Sequence, residues 1–234
     1  HFSPEEVGLG KREPIADVAQ VMSRMSDVAV IRTFAQSTIE EFAANATIPV
    51  INALTDTEHP CQALADTQTI TEEFGNVAGA KVAFIGDGNN VASSLGYAVA
   101  GLGGHLVVAS PDGYKLPGED LEGANTYGAS VGGKVTQVTS PQEAVADADI
   151  VYTDVWTSMG QETETAKRLV AFDGYQVNPA LLDQAGTNVK FMHDLPAHPG
   201  EEITDGLLYD SRSVAFDQAE NRLWAQAALM EKLI

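Results

Sequence analysis

Short apolar runs alternate with amphipathic stretches along almost the whole chain, and this alternation restricts the fold more than any other feature. Residues 28–31 (VAVI) and 48–51 (IPVI) bracket a helical stretch at 37–45, and a longer helix is predicted over 61–74, closed by Gly75. After NVAGA a fresh strand is predicted at 81–85, with others at 106–109, 135–138, 150–153, 189–193 and 213–216. The clearest helix start is SPQEAVADAD, where Ser140 caps, Pro141 takes the first helical position and Glu143 completes a capping box. Strands this short and apolar, interleaved with helices, bury both faces of their sheet, as parallel sheets do. The expected class is α/β, with two doubly wound parallel-sheet domains.

The expected divide falls near 75–80, where EEFGNVAGAK reads as a hinge. It separates residues 1–76 from a second domain over 77–216, and leaves 217–234 as a C-terminal helix packing back on the first domain. At 234 residues, 44% of them hydrophobic, the chain can bury one large core or two small ones. Only two strands precede the hinge, which is thin for a doubly wound sheet, and HFSPEEVGLGKREP opens like the middle of a domain. The first domain is therefore expected to be incomplete. No internal repeat or low-complexity tract is visible.

Charge excludes two kinds of partner. There are 33 acidic residues against 13 basic ones, net −20, whereas nucleic acid and anionic membrane both demand a basic face. An anionic substrate can bind only where a few arginines gather. The single cysteine, Cys61, rules out an internal disulfide and suits a reducing compartment. No apolar run is long enough to span a bilayer and no signal-peptide pattern is present, so a cytoplasmic location is expected.

Several stretches carry chemistry, each with a plainer reading beside it. FIGDGNNVASSLG follows a strand and opens a helix, so Gly86 and Gly88 sit where backbone N–H groups can face an anion. A simple tight turn is the alternative; Asn89 and Asn90 favour a polar ligand, because paired amides can grip a carboxylate. Val91 in place of the third fingerprint glycine argues against NAD. HPCQALAD puts His59 and Gln62 on one face of a first helical turn, where an imidazole and an amide can polarise a carbonyl. A capped helix with an incidental histidine is the plainer account. Asp154 stands just past a strand's carboxyl end, where open α/β sheets place their crevices, and can hold an ammonium. Arg32 ends VAVIR and meets either a substrate anion or a neighbouring carboxylate. Arg222 lies on a helix whose apolar face is predicted to include Ala219, Leu223, Ala227 and Met230; a surface salt bridge is its plainer role. In KFMHDLPAHPGEEIT a buried strand ends in His193-Asp194 and turns at once through Leu195-Pro196, which presents polar groups at the sheet's edge. His59, His193 and His198 lack the spacing of helical zinc ligands, so no metal is expected.

Taken together, DTEHPCQALADTQTI, FIGDGNNVASSL, IVYTDVWTSMGQE and FMHDLPAHPGEEITD…SVAFDQAENRLWAQ resemble, in order and rough spacing, the motifs of the ornithine carbamoyltransferases. The resemblance runs from GKREPIADVAQVMSRM to the last helix. It implies transfer of the carbamoyl group of carbamoyl phosphate to the side-chain amine of ornithine, giving citrulline and phosphate in arginine biosynthesis, without cofactor or metal. It also implies two α/β domains with the substrates between them, and a homotrimer. By resemblance Arg32, His59 and Gln62 hold carbamoyl phosphate and polarise its carbonyl, and Arg222 lies near the carbamoyl group. Asn90 meets ornithine's α-carboxylate and Asp154 its α-ammonium, with Ser158 and Met159 in the same pocket. Asp194 and Leu195 belong to the turn at the reacting end.

Two departures stand out. The family's His-Cys-Leu-Pro motif is His193-Asp194-Leu195-Pro196 here; with an ordinary pKa, Asp194 would be ionised, accepting a hydrogen bond from the amine or repelling phosphate. The family's Ser-Thr-Arg-Thr phosphate loop is found nowhere in these residues. The chain is accordingly expected to be a fragment of a longer protein, a transferase completed in trans, or a degenerate paralogue that binds an amino acid or a partner. Near relatives that take putrescine or acylated ornithine leave the amine open.

Overall fold

The computed structural model describes residues 3–158 and 162–234. Helices α1 (Pro4–Val7) and α2 (Ile15–Met22) lead to strand β1 (Ala29–Arg32), helix α3 (Gln36–Asn45) and strand β2 (Val50–Leu54). Helix α4 (Pro60–Phe74) then connects to β3 (Lys81–Ile85), α5 (Asn90–Gly101), β4 (His105–Ala109), α6 (Gly118–Gly128), β5 (Lys134–Val138), α7 (Pro141–Val145) and β6 (Ile150–Thr153). Helices α8 (Thr165–Ala171) and α9 (Pro179–Leu182), strand β7 (Lys190–His193) and the long helix α10 (Ala215–Leu233) follow. Among the described residues no helix is long and apolar enough to cross a membrane.

Strands β1 and β2 form a small parallel pair, and the other five form a second parallel sheet in the order β5-β4-β3-β6-β7. The chain steps outward from β3 to β5, then returns to lay β6 and β7 on β3's other side. The switch point therefore lies between β3 and β6, and a crevice opens beyond their carboxyl ends. Successive strand residues point to opposite faces. Val82, Phe84, Leu106, Val108, Ile150, Tyr152 and Met192 pack with Val91, Leu95 and Val99 of α5 and Ile70 of α4. Ala83, Ile85, Val107, Val151 and Phe191 pack on the other face with Ala144, Val145, Leu181 and Phe172. The β1–β2 pair keeps a smaller core around Ala19, Ala29 and Phe42.

Turn chemistry explains the boundaries. Gly75 ends α4 in the left-handed conformation (φ 85°), its N–H donating to Thr71 O at 2.8 Å. Gly88 allows close approach: a Cβ there would lie 2.2 Å from the Leu116 nitrogen. Ser140 caps α7 by accepting from the Glu143 N–H at 3.2 Å. The reciprocal bond of a full capping box is absent among the described residues.

Two expectations about the C-terminus need correction. Residues 213–216 form no strand: Ser213 makes one bridge to Phe191, and α10 begins at Ala215. The face of α10 expected to be apolar and packed is turned to solvent, with Leu223 62% exposed. The packed face is polar. Asn221 donates to Thr69 Oγ1 (3.0 Å) and Glu72 Oε2 (2.7 Å) and accepts from Gln68 Nε2 (3.0 Å), while Gln218 donates to Asp66 Oδ1 (2.7 Å). Helix α4 offers α10 a polar stripe, and buried polar groups must pair with polar groups.

Burial and exposure predict opposite outcomes for two leucines. Leu95→Ala, in the main core, should lower unfolding stability by about 2–5 kcal/mol in urea titrations. Leu223→Ala on α10 should change it by no more than about 0.5 kcal/mol.

Candidate active site

At the switch point the loop after β3 meets the loop after β6. Asn89 caps α5, its Oδ1 accepting from the N–H groups of Val91 (3.1 Å) and Ala92 (3.2 Å), and its amide donates to Asp154 Oδ2 at 2.7 Å. The Val155 N–H donates to the other Asp154 oxygen at 2.6 Å. Asp154 is thus buried and held by two donors at the crevice. Asn90 takes no part in that bond: one N–H of its amide donates to the Thr55 carbonyl at 2.7 Å, which ties this loop to the segment after β2 and leaves its second N–H to offer a ligand. The two neighbouring amides therefore divide their work rather than acting as a pair. Ser158 lies four residues past Asp154 and is half-buried; Met159 lies outside the described residues. Beside the crevice Arg168 of α8 is ion-paired to the buried Asp87 and donates to Trp156 O at 2.9 Å.

Across from this crevice stands the start of α4. His59 precedes Pro60 at the helix N-terminus, 6% exposed, its backbone N–H donating to Ser94 Oγ at 2.8 Å. Burial, then Arg222, then Arg32 push the imidazole down to about 4, so it is neutral at pH 7. Gln62, one turn along, donates its amide to Asp66 and accepts from an Arg222 guanidinium N–H with its Oε1. Arg222 therefore forms a partly buried bond to an amide, and no salt bridge among the described residues. Arg32 is exposed at the end of β1 and makes no ion pair among the described residues.

The end of β7 supplies the third part. His193, fully buried, accepts the Leu195 N–H on Nδ1 (2.9 Å), so its Nε2 carries the proton and faces Glu202 Oε1 at 3.2 Å. Its backbone N–H donates to Gln218 Oε1 at 2.8 Å. Leu195 takes a left-handed conformation (φ 56°) as the chain turns away. The Asp194 side chain is only 11% exposed. Burial pushes its carboxyl well above the usual range, with Asp154 and then Asp66 adding to the effect. This corrects the expectation of an ordinary, ionised Asp194: beside two other carboxyls and away from water, the neutral form is favoured.

His59 Nδ1, Arg222 Nε and Asp194 Oδ1 are all buried and without hydrogen-bond partners among the described residues. Buried polar groups are normally paired, so these three atoms have hydrogen-bonding capacity to offer a polar ligand or a water, as do others such as Tyr114 Oη and Trp156 Nε1. Asp66, Tyr152, Glu202 and Gln218 support this arrangement, and none stands out in the sequence. Asp66 is four residues past Gln62, but its link to Gln218 spans 152 positions, which no local pattern reveals.

A parallel α/β sheet with a crevice at its switch point, and with buried atoms of His59, Arg222 and Asp194 unpaired among the described residues, has the architecture of a protein that receives a polar ligand. Residues 1–72 match the aspartate/ornithine carbamoyltransferase carbamoyl-P binding domain, and residues 78–233 match the Asp/Orn binding domain of the same family. The anabolic ornithine carbamoyltransferase of Pseudomonas aeruginosa is 54% identical over 233 residues, covering 100% of this chain and 74% of that protein. The ornithine carbamoyltransferase of Bacillus subtilis is 49% identical, covering 100% of this chain and 73% of its own length. Among solved structures, ornithine carbamoyltransferase from Pyrococcus furiosus superposes with a TM-score of 0.94 at 46% identity, covering 98% of this chain and 73% of that one. The chain belongs to the aspartate/ornithine carbamoyltransferase family.

The depressed pKa of His59 sets a sign. Its proton is taken up by the unfolded chain near 6.5 but by the folded chain only near 4, so stability falls as pH drops through that window. The His59 ring resonances should hold neutral positions from pH 8 to about 5.5 and titrate near 4. Arg222→Met should move that titration upward.

Proposed function

We propose that the chain transfers the carbamoyl group of carbamoyl phosphate to the side-chain amine of ornithine, forming citrulline and phosphate for arginine biosynthesis. The observation that carries this reading is that buried atoms of His59, Arg222 and Asp194 keep hydrogen-bonding capacity unused among the described residues, while Gln62 is bonded to Arg222 and Asp154 lies at the crevice. Arg222 supplies a half-buried positive charge, and Arg32 an exposed guanidinium for the phosphate end. The neutral His59 donates a hydrogen bond to the carbonyl oxygen as it becomes an oxyanion, without adding a full charge in the ground state. Gln62 holds Arg222. Asp154 receives the α-ammonium and Asn90 the α-carboxylate, with Ser158, Met159 and Leu195 shaping the pocket. The amine attacks as the neutral base, and holding it against the carbonyl carbon supplies much of the acceleration.

Asp194 fits this scheme better than its formal charge suggests. A buried, protonated carboxyl is as uncharged as the thiol of the family motif, so it offers the amine a lone pair without repelling phosphate. No observation favours a non-catalytic role. The family resemblance further supports a homotrimer in the cytoplasm, and sedimentation of the purified protein tests the assembly.

Calorimetry separates the two carboxyls. Asp154→Asn should weaken ornithine binding by about 2 kcal/mol or more, as for a lost buried charge pair. Asp194→Asn, a neutral replacement of a neutral group, should change it by less than about threefold; a loss as large as that of Asp154→Asn would show that Asp194 is ionised.

Turnover depends on the phosphate end as well. With no Ser-Thr-Arg-Thr run to supply phosphate donors, the 234 residues should form citrulline at least about a hundredfold slower than a form carrying that loop, fused or in trans. Equal rates would place the phosphate site among the residues described here.

A further inference from the structure

One carboxylate deep between α4 and α10 has no part in substrate binding as described above. Asp66 is fully buried, one turn beyond Gln62. It accepts from Gln62 Nε2 (2.8 Å) and Gln218 Nε2 (2.7 Å) on Oδ1, and from the Tyr152 hydroxyl (3.3 Å) on Oδ2. An ionised carboxylate only accepts, so both glutamines must turn their NH2 groups toward it. Each is left with its Oε1 to offer elsewhere. That of Gln62 accepts from Arg222, and that of Gln218 accepts the backbone N–H of His193, one residue before Asp194. With either amide reversed, an NH2 would face the Arg222 guanidinium or the His193 N–H, donor against donor.

We propose that Asp66 is a positioning residue for the transfer: by fixing the sense of the Gln62 and Gln218 amides it holds the carbamoyl half of the site in register with the end of β7. The proposal rests on the functional reading above. Four elements close around the carboxylate: α4 itself, α10 with Arg222, β6 with Tyr152, and β7 leading to His193 and Asp194. Arg222 is the cation that acts on Asp66, which it reaches through Gln62, whereas Lys190 at the start of β7 pairs with Glu73. Burial raises Asp66 to about 7 despite its three donors. Between about 3.8 and 7 the folded chain holds a proton on Asp66 that the unfolded chain releases, so stability falls as pH rises through that window. Protonated, Asp66 becomes a donor itself and no longer dictates both amides.

The test compares Asp66→Leu with the wild type in whichever form makes citrulline, the 234-residue chain or its loop-completed version. Leucine has nearly the same shape but no acceptor for either glutamine NH2, so kcat should fall about 10- to 100-fold, while the KM for ornithine changes less than about threefold. In a Gln62→Met, Gln218→Met background the same substitution should cost less than about threefold more, because the residue acts through these two amides. An unchanged kcat, or an equal loss in both backgrounds, would overturn the proposal. Gln218→Met is a second variant that leaves the carboxylate in place. A loss of threefold or more in kcat supports the proposal, and wild-type kcat opposes it. A readout independent of turnover is NMR of the Gln62 and Gln218 side-chain amides. They should shift together with an apparent pKa of about 7, and the shift should vanish in Asp66→Leu. Amides insensitive to pH overturn the proposal, whereas titrating amides in a protein that makes no citrulline overturn only the transfer reading.

Discussion

Strand order reverses between β3 and β6, and the chain after each of these strands leaves on opposite faces of the sheet. Helix α5 carries Val91, Leu95 and Val99 to one face, and the segment after β6 carries Trp156 and Phe172 to the other. The two loops part, and the polar groups at the strand ends need neither enter a core nor drift into solvent. Asn89 and Asp154 meet there, 65 positions apart in sequence and 2.7 Å apart in space. Every other part of the site is arranged against this crevice. The end of β7, the adjacent strand, brings Asp194 alongside, and α4 brings His59 and Gln62 from the other direction.

What holds α4 in that position is of a different kind from the cores on the sheet. Each face of the five-stranded sheet is dry and close-packed, whereas α4 and α10 meet through Asp66, Thr69, Gln218 and Asn221. Such a seam contributes little net stability by hydrogen bonding alone, because folding exchanges these bonds for bonds to water. It is demanding in geometry, since a mispaired buried amide or carboxylate costs far more than a paired one gains. A polar seam therefore suits a place where two halves of a site must keep one register. The same seam carries Arg222, so its alignment and the electrostatics of His59 are one problem.

Much of the fold is legible in the sequence, because period-two strands and helix caps are local. Strands β1 to β7 fall within three residues of the apolar runs that predict them, and Gly75, Pro60 and Ser140 stand where helix ends need them. The failures share a cause. Residues 213–216 are apolar enough for a strand, yet only one bridge forms, because the chain must turn into α10. Ala219, Leu223, Ala227 and Met230 have helical spacing, but periodicity does not say which stripe meets a neighbour. The site residues come from motifs, whereas their partners do not: Asp66 is legible only beside Gln218 and Tyr152. Asp194 is misread as an anion for the same reason, since its neighbours Asp154 and Asp66 are distant in sequence.

The central claim is that the histidine and arginine side and the carboxylate side are two halves of one site. Norvaline has ornithine's α-amino and α-carboxylate groups and carbon chain but no reacting amine, so its binding can be followed without turnover. Its affinity should be measured by calorimetry with and without saturating carbamoyl phosphate. If the halves face each other across the crevice, the first ligand orders what the second meets, and norvaline should bind at least about fivefold tighter in its presence. Carbamoyl phosphate should tighten by the same factor in return. Two ligands that both bind, each with an affinity indifferent to the other, would contradict the account.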